Sequence, residues 1–233
     1  MIGLPASITT CLFDLDGVLT DTASVHLKAW RQTFDPILRR HGQPAFTLAD
    51  YDDHVDGKPR EDGVRDFFAA RHLDLPETGD ESVAAIADRK NDLLQEFIDK
   101  DGVKVFPGSW EYVQAAARAG LHRIVVSSSA NTAQVLRVTG LDAYLQGRVD
   151  GNTLAQQHLK GKPAPDSFLA GAALAGVGAG EAAVFEDATA GVQAGRDGRF
   201  GYVVGVNRIS AAHRRALRAH GASVVVNDLS ELL

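Results

Sequence analysis

Asp14 and Asp16 stand one residue apart at the end of the apolar run CLF, with Gly17 directly after them and Asp21 close behind. Carboxylates at the end of a core strand are costly unless they are paired, metal-bound or neutralised. Residues two apart in an extended chain point to the same side, so Asp14 and Asp16 can face one reacting centre while Gly17 lets the chain turn sharply. One such carboxylate can attack phosphorus while the other hands over and removes protons. Three further stretches carry matching chemistry: Ser127 opens SSSAN, Lys162 precedes two prolines in KGKPAPD, and Glu186 and Asp187 close AAVFED. Two anions beside a phosphoryl dianion call for a divalent cation, and oxygen donors from Asp14, Glu186 and Asp187 suit magnesium. Lys162 would add a fixed positive charge. Ser127 and the amides after it, at a strand end leading into a helix, would donate to phosphate oxygens.

The elements that must position these residues form two textures. From about residue 105 onward, the apolar runs HRIVVSS, AAVFED, GYVVGV and ASVVVND alternate with helical patterns. Short apolar runs separated by helices indicate parallel strands covered on both faces, a doubly wound α/β sheet. ITTCLFD is its first strand, and ligands of such sheets bind outside the carboxyl ends of the strands. Ser109 is placed to cap the helix WEYVQAAARAG and Gly120 to close it, while Pro165 and Asp166 open DSFLAGAALAG. Between about residues 22 and 104 the strand runs vanish. TASVHLKAWRQTF, with Thr22 as its cap candidate, PREDGVRDFFAARH and DESVAAIADRKNDLLQEFIDK read as helices, the last with Val83, Ile86, Leu93, Leu94 and Phe97 on one face. The expected organisation is a core of residues 1–21 and 105–233 interrupted by a helical cap over 22–104.

With 45% hydrophobic and 23% charged residues over 233, the chain has the material for such a core. A formal charge of −6 offers no electrostatic reason to expect nucleic acid or an anionic membrane surface. An anionic ligand must find its positive charge locally. One cysteine, Cys11, cannot form an internal disulfide, and no apolar stretch is long enough to span a bilayer, so a cytoplasmic protein is expected. A monomer acting on a small molecule is expected, with no nucleic-acid or membrane partner.

The series DLDGVLTDT, VVSSSAN, GKPAPD and FEDATAGVQAG resembles, in order and spacing, the motifs of the haloacid dehalogenase superfamily. The helical insert after the first motif resembles the small cap of its β-phosphoglucomutase-like subfamily. The resemblance implies that Asp14 is the nucleophile, forming an aspartyl phosphate, and that Asp16 is the general acid and base. It implies magnesium held by Asp14, the backbone carbonyl of Asp16, Asp187 and, directly or through water, Glu186. Ser127, Ser128 and Asn131 would hold phosphate and Lys162 would neutralise it. Thr22 and His26 match residues that couple cap closure to the placement of the acid and base; Gly57 and Arg60 match cap residues that contact substrate. The pattern departs at Asp56, where a lysine is expected and Lys58 lies after the glycine instead, and at Ala130, another position that tends to be lysine.

The implied reaction is phosphoryl transfer between positions of a sugar phosphate, β-glucose 1-phosphate to glucose 6-phosphate through a bisphosphate. The two lost cations favour the alternative of a sugar-phosphate phosphatase, and a silent binding scaffold ranks last because every essential carboxylate and Lys162 are present. Beside these roles stand plainer ones: Thr22 as a helix cap, His26 as a solvated or structural histidine, Lys58 and Arg60 as a charged helix start, and Trp30 and Trp110 as packing residues. Asp21 reads as structural, near the hinge into the cap.

Overall fold

A computed structural model of the chain describes residues 2–55, 58 and 60–233. Six strands form one parallel sheet: β1 (Thr10–Phe13), β2 (His122–Val126), β3 (Gly147–Val149), β4 (Ala182–Glu186), β5 (Tyr202–Val206) and β6 (Val224–Val226). Their order is β3-β2-β1-β4-β5-β6, so the winding reverses direction on either side of β1. The chain forms two compact units, Met1–Thr22 with Val103–Leu233, and Ala23–Gly102.

In the first unit, α5 (Pro107–Arg118), α6 (Thr132–Thr139), α7 (Gly151–Gln157), α8 (Asp166–Leu174), α9 (Thr189–Asp197) and α10 (Ala211–His220) cover the sheet. All four β1 residues are buried, as a strand sandwiched between helix layers requires. On one face Leu12, Ile124 and Val184 pack with Phe168 and Val192. On the other, Phe13 meets Phe185 at 4.6 Å and Tyr112 edge-on at 6.2 Å. The register pairs Phe13 with Val125 on one side and Phe185 on the other. The next residue, Asp14, therefore comes level with Val126 and Glu186 at the carboxyl end of the sheet. Its amide donates to Phe185 O at 2.9 Å.

α5 begins at Pro107 in its first turn, where the missing N–H costs nothing. Ser109, expected as the cap, is instead inside that helix, fully buried, and its hydroxyl donates to Val18 O at 2.6 Å. The second unit contains α1 (Thr22–Arg40), α2 (Leu48–Asp50), a π-helical turn (Tyr51–Val55), α3 (Arg60–Ala70) and α4 (Val83–Asp101). α1 runs through Pro36, past the end that the sequence pattern indicated, because Ile37 and Leu38 are buried in this unit's core. Tertiary burial there outweighs the hydrogen bond that proline removes. Trp30, Phe34, Phe67 and Phe68 fill the same core, with Phe34 stacked on Phe67 at 4.6 Å. Trp110, in the first unit, packs against Tyr144 at 5.2 Å.

Candidate active site

Asp14, only 6% exposed, is buried at the strand ends together with Ser127 and Glu186. Its carboxylate is ion-paired with Lys162, whose ammonium also donates to Glu186 Oε1 at 2.6 Å and to Val126 O at 3.3 Å. One lysine thus meets three acceptors on the rung that the sheet register defines, with Phe168 4.8 Å beneath it. Burial pushes the Asp14 carboxyl up to about 8 against the pull of Lys162, and the charges of Glu186 and Asp16 push it the same way. Lys162 is driven above its ordinary value by Asp14 and Glu186, which overcome its own burial.

After Asp14 the chain turns tightly. Leu19 and Thr20 amides both donate to Leu15 O, and Gly17 N donates to Thr20 O at 2.8 Å. Gly17 has a φ of +78°, which an L side chain adopts only with strain. A Cβ there would also lie 1.9 Å from Asp187 Oδ2. The glycine of the D-x-D-G stretch therefore lets the carboxylate from the end of β4 approach the one from the end of β1. Gly17→Ala is expected to cost about 2 kcal/mol of stability from the backbone strain and the clash and to reduce turnover sharply; denaturant unfolding and steady-state rates read the two effects. Asp16 accepts a hydrogen bond from the Thr22 hydroxyl. Thr22 begins α1 and is buried, so the first residue of the insert's leading helix orients the second aspartate.

Asp187 is pushed well above its ordinary range, first by burial and then by Glu186 and Asp14. Its backbone carbonyl accepts from His213 Nε2 at 2.7 Å. Glu186 has both oxygens in use, Oε1 on Lys162 and Oε2 on the Ala188 amide at 2.7 Å. Gly191 leaves the room for it, since a Cβ there would meet Oε1 at 1.9 Å. Glu186 is thus placed to hold Lys162. Among the described residues, no group of three or more acidic, histidine or cysteine side chains is gathered as a ready metal cage. The donors nonetheless fit magnesium: two mutually repelling carboxylates, Asp14 and Asp187, with Asp16 beside them, are what an ion that keeps waters and phosphate oxygens in its shell requires.

Ser127 is buried at the end of β2, and its Oγ accepts from the Ser129 amide at 3.1 Å, which leaves its own O–H to donate. Ser128 is exposed in this loop and Asn131 caps α6 by position without a side-chain cap bond. The loop is braced from behind: Gly151 N donates to Ser129 O and Asn152 Nδ2 to Ala130 O, both at 3.1 Å. A Cβ on Gly151 would lie 2.6 Å from Ser128 O.

The remaining candidates lie in the second unit. His26 is half-buried; loss of solvent, and the charges of Lys90 and Arg60, push its ring down to about 3. Lys90 Nζ donates to His26 Nδ1 at 3.2 Å, so the neutral ring carries its proton on Nε2. Lys58 is paired with Asp66 at 2.8 Å and also reaches Asp53 O. Gly57, like Asp56, lies outside the described residues. Sequence reasoning missed Lys90, which is 1% exposed and 4.9 Å from the Trp30 ring centre. The signal was present: Lys90 falls four residues after Ile86 and four before Leu94, on the apolar face of α4.

A doubly wound sheet carrying a carboxylate and lysine centre at its switch point, with a helical insert after the first strand, defines an α/β protein built to handle phosphate groups. The chain belongs to the haloacid dehalogenase-like hydrolases, whose family model matches residues 8–198. It is 52% identical to a β-phosphoglucomutase of Mycobacterium tuberculosis, across 100% of this chain and 94% of that protein. It is 30% identical to hexitol phosphatase A of Escherichia coli, across 79% and 76%. The crystal structure of a β-phosphoglucomutase from Clostridium difficile superposes with a TM-score of 0.76 at 23% identity, covering 97% of this chain and 93% of that one, which shows the shared fold. No helix among the described residues is long and apolar enough to cross a membrane.

Proposed function

We propose that the protein is a β-phosphoglucomutase, interconverting β-glucose 1-phosphate and glucose 6-phosphate. The observation that carries this reading is the full-length identity of 52% to a protein of that name. The arrangement of side chains supports it. Phospho-Asp14 would hand its phosphoryl group to the sugar 6-hydroxyl as Asp16 takes the hydroxyl proton. The bisphosphate would turn round, and Asp14 would then accept the 1-phosphoryl while Asp16 returns the proton to the departing oxygen. Lys162 balances the Asp14 charge, and Ser127, Ser128 and Asn131 are the proposed phosphate donors. A magnesium ion held by Asp14, Asp187 and the Asp16 carbonyl would neutralise charge on the transferring group.

The sequence departures at Asp56 and Ala130 suggested a shortage of cations for the second phosphate. We propose that Arg60 and Lys90 of the insert, whose charges act on the neutral ring of His26, offset this shortage and engage the part of the substrate remote from the phosphorus under attack. The phosphatase alternative draws on those two lost cations, and Lys58, which could stand in for the first, has its ammonium paired with Asp66. The protein, incubated with magnesium, β-glucose 1-phosphate and a trace of glucose 1,6-bisphosphate, should form glucose 6-phosphate faster than free phosphate. Free phosphate without isomerisation would establish the phosphatase instead. Lys90→Met should raise KM for the sugar phosphate by about tenfold, worth about 1.4 kcal/mol; an unchanged KM removes Lys90 from the substrate.

A further inference from the structure

Arg208, two residues past the end of β5, has no part in any motif, yet its guanidinium closes on the turn behind Asp14. Nε donates to Gly17 O at 3.1 Å, and Nη2 reaches Val18 O and Ser109 Oγ, each at 3.4 Å. Nη1 donates to Asn227 O at 3.0 Å and to Asp228 Oδ2 at 3.1 Å. Five N–H donors therefore meet five acceptors, a match that arginine's planar fork allows and a lysine cannot reproduce. The guanidinium also lies 3.7 Å from the centre of the Phe106 ring. Phe106 N donates to Leu19 O, so the ring under Arg208 belongs to the segment that leads into α5 alongside the turn.

The far side of the clamp is rigid. Asp228 Oδ1 accepts from Ser230 N and Oγ, and a Cβ on Gly108 would lie 1.5 Å from that oxygen, so the carboxylate is wedged against the start of α5. What Arg208 grips is the peptide stretch directly after Asp16, at a left-handed glycine whose preferred alternative conformations are many. Without the guanidinium, Gly17 O would lose the partner that orients its peptide, and the turn could relax toward other φ values.

We propose that Arg208 is a positioning residue for the proton-shuttling carboxylate: by fixing the Gly17 and Val18 carbonyls, it holds Asp16 in register with Asp14. This rests on the assignment of Asp16 as general acid and base. Two measurements on Arg208→Met test it. Amide hydrogen exchange in the peptide spanning residues 14–20 should quicken by about tenfold or more, with the peptides of β2 and β4 unchanged. Turnover of the sugar phosphate should fall by about 10- to 100-fold with KM within about threefold, whereas phosphorylation by acetyl phosphate, whose leaving acetate needs no proton, should fall far less. Arg208→Lys should recover part of the turnover, and it replaces the methionine variant if that one does not fold.

Unchanged exchange over residues 14–20 overturns the proposal. So does an equal loss with both phosphoryl donors, which would make Arg208 a brace of the fold alone. The exchange arm needs no substrate: a wild-type protein inactive on sugar phosphates whose Arg208 variant still loosens the turn fails the functional reading and leaves the clamp standing.

Discussion

Asp14→Asn will lower turnover of the sugar phosphate by at least about 10⁴-fold, roughly 5 kcal/mol of transition-state stabilisation, while the folded protein survives. An amide nitrogen and carbonyl cannot form the acyl phosphate through which the proposed reaction passes, and Glu186, the other carboxylate on that rung, has both oxygens engaged by Lys162 and the Ala188 amide. Stability should hold because the carboxylate is already costly: its buried position and the neighbouring Glu186 and Asp16 raise its pKa to about 8. The substitution removes that repulsion, and Lys162 keeps Glu186 as its partner. Acid quenching of the wild-type protein after mixing with substrate, followed by mass analysis, should show one phosphate on the peptide containing Asp14 and none in the variant. Substantial turnover by the variant, or phosphate trapped on another peptide, would refute the assignment.

The same neighbourhood explains what could be read in the sequence. β1, β2, β4, β5 and β6 announce themselves as apolar runs because both faces of each are covered. β3 does not: it is the three-residue edge strand Gly147-Arg148-Val149, half-exposed, with too little apolar material to form a pattern. The gathering of Asp14, Lys162, Glu186 and Asp187 at the strand ends was legible because buried charge in an apolar run is unusual enough to demand a partner. Residues that act through backbone were not legible. Ser109 has the type and place of a helix cap, and only the fold shows its hydroxyl on Val18 O instead. Arg208 and His213 contact carbonyls of Gly17, Val18 and Asp187, and a carbonyl has no signature in a sequence. Lys90 lay between these cases, a charge on an apolar helix face whose meaning depended on His26 and Trp30, some 60 residues earlier in the chain.

The protein's net charge and its site pose one problem at two scales. A chain of charge −6 that handles phosphate has concentrated its acids, not its bases, at the reacting centre. Lys162 cannot satisfy Asp14, Glu186 and Asp187 together, since its ammonium sits between the first two. The unbalanced charge is the physical reason for expecting a divalent ion, and it has a thermodynamic consequence that needs no substrate.

Without a divalent ion the protein should lose stability as pH rises from about 7 to about 9, by roughly 1–3 kcal/mol, and magnesium should restore it. Asp14 and Asp187 both have folded-state pKa values above the ordinary 3.8 of an unfolded aspartate. Between that value and its raised folded pKa each carboxyl holds a proton that the unfolded chain has released, so the stabilising contribution is complete below about 3.8 and is lost progressively as pH rises, for Asp14 up to about 8. Lys162, raised in the folded state, stays charged in both states throughout this window and contributes no slope. His26 acts in the opposite sense: its depressed pKa costs stability as pH falls from about 6.5 toward about 3, which offsets part of the carboxyls' slope in that range and none of it above about 6.5. Magnesium binds the deprotonated carboxylates, so the rise in Tm that it produces should be larger at about pH 9 than at about pH 7. Asp187→Asn removes one of the repelling groups. It should raise the metal-free Tm at about pH 9 by about 2–4 °C for each kcal/mol recovered, flatten the slope, and abolish the magnesium-dependent shift together with turnover. A metal-free stability that is flat or rising over this range, or a magnesium shift that persists in Asp187→Asn, would mean that the two carboxylates do not share the charge that the site arrangement gives them.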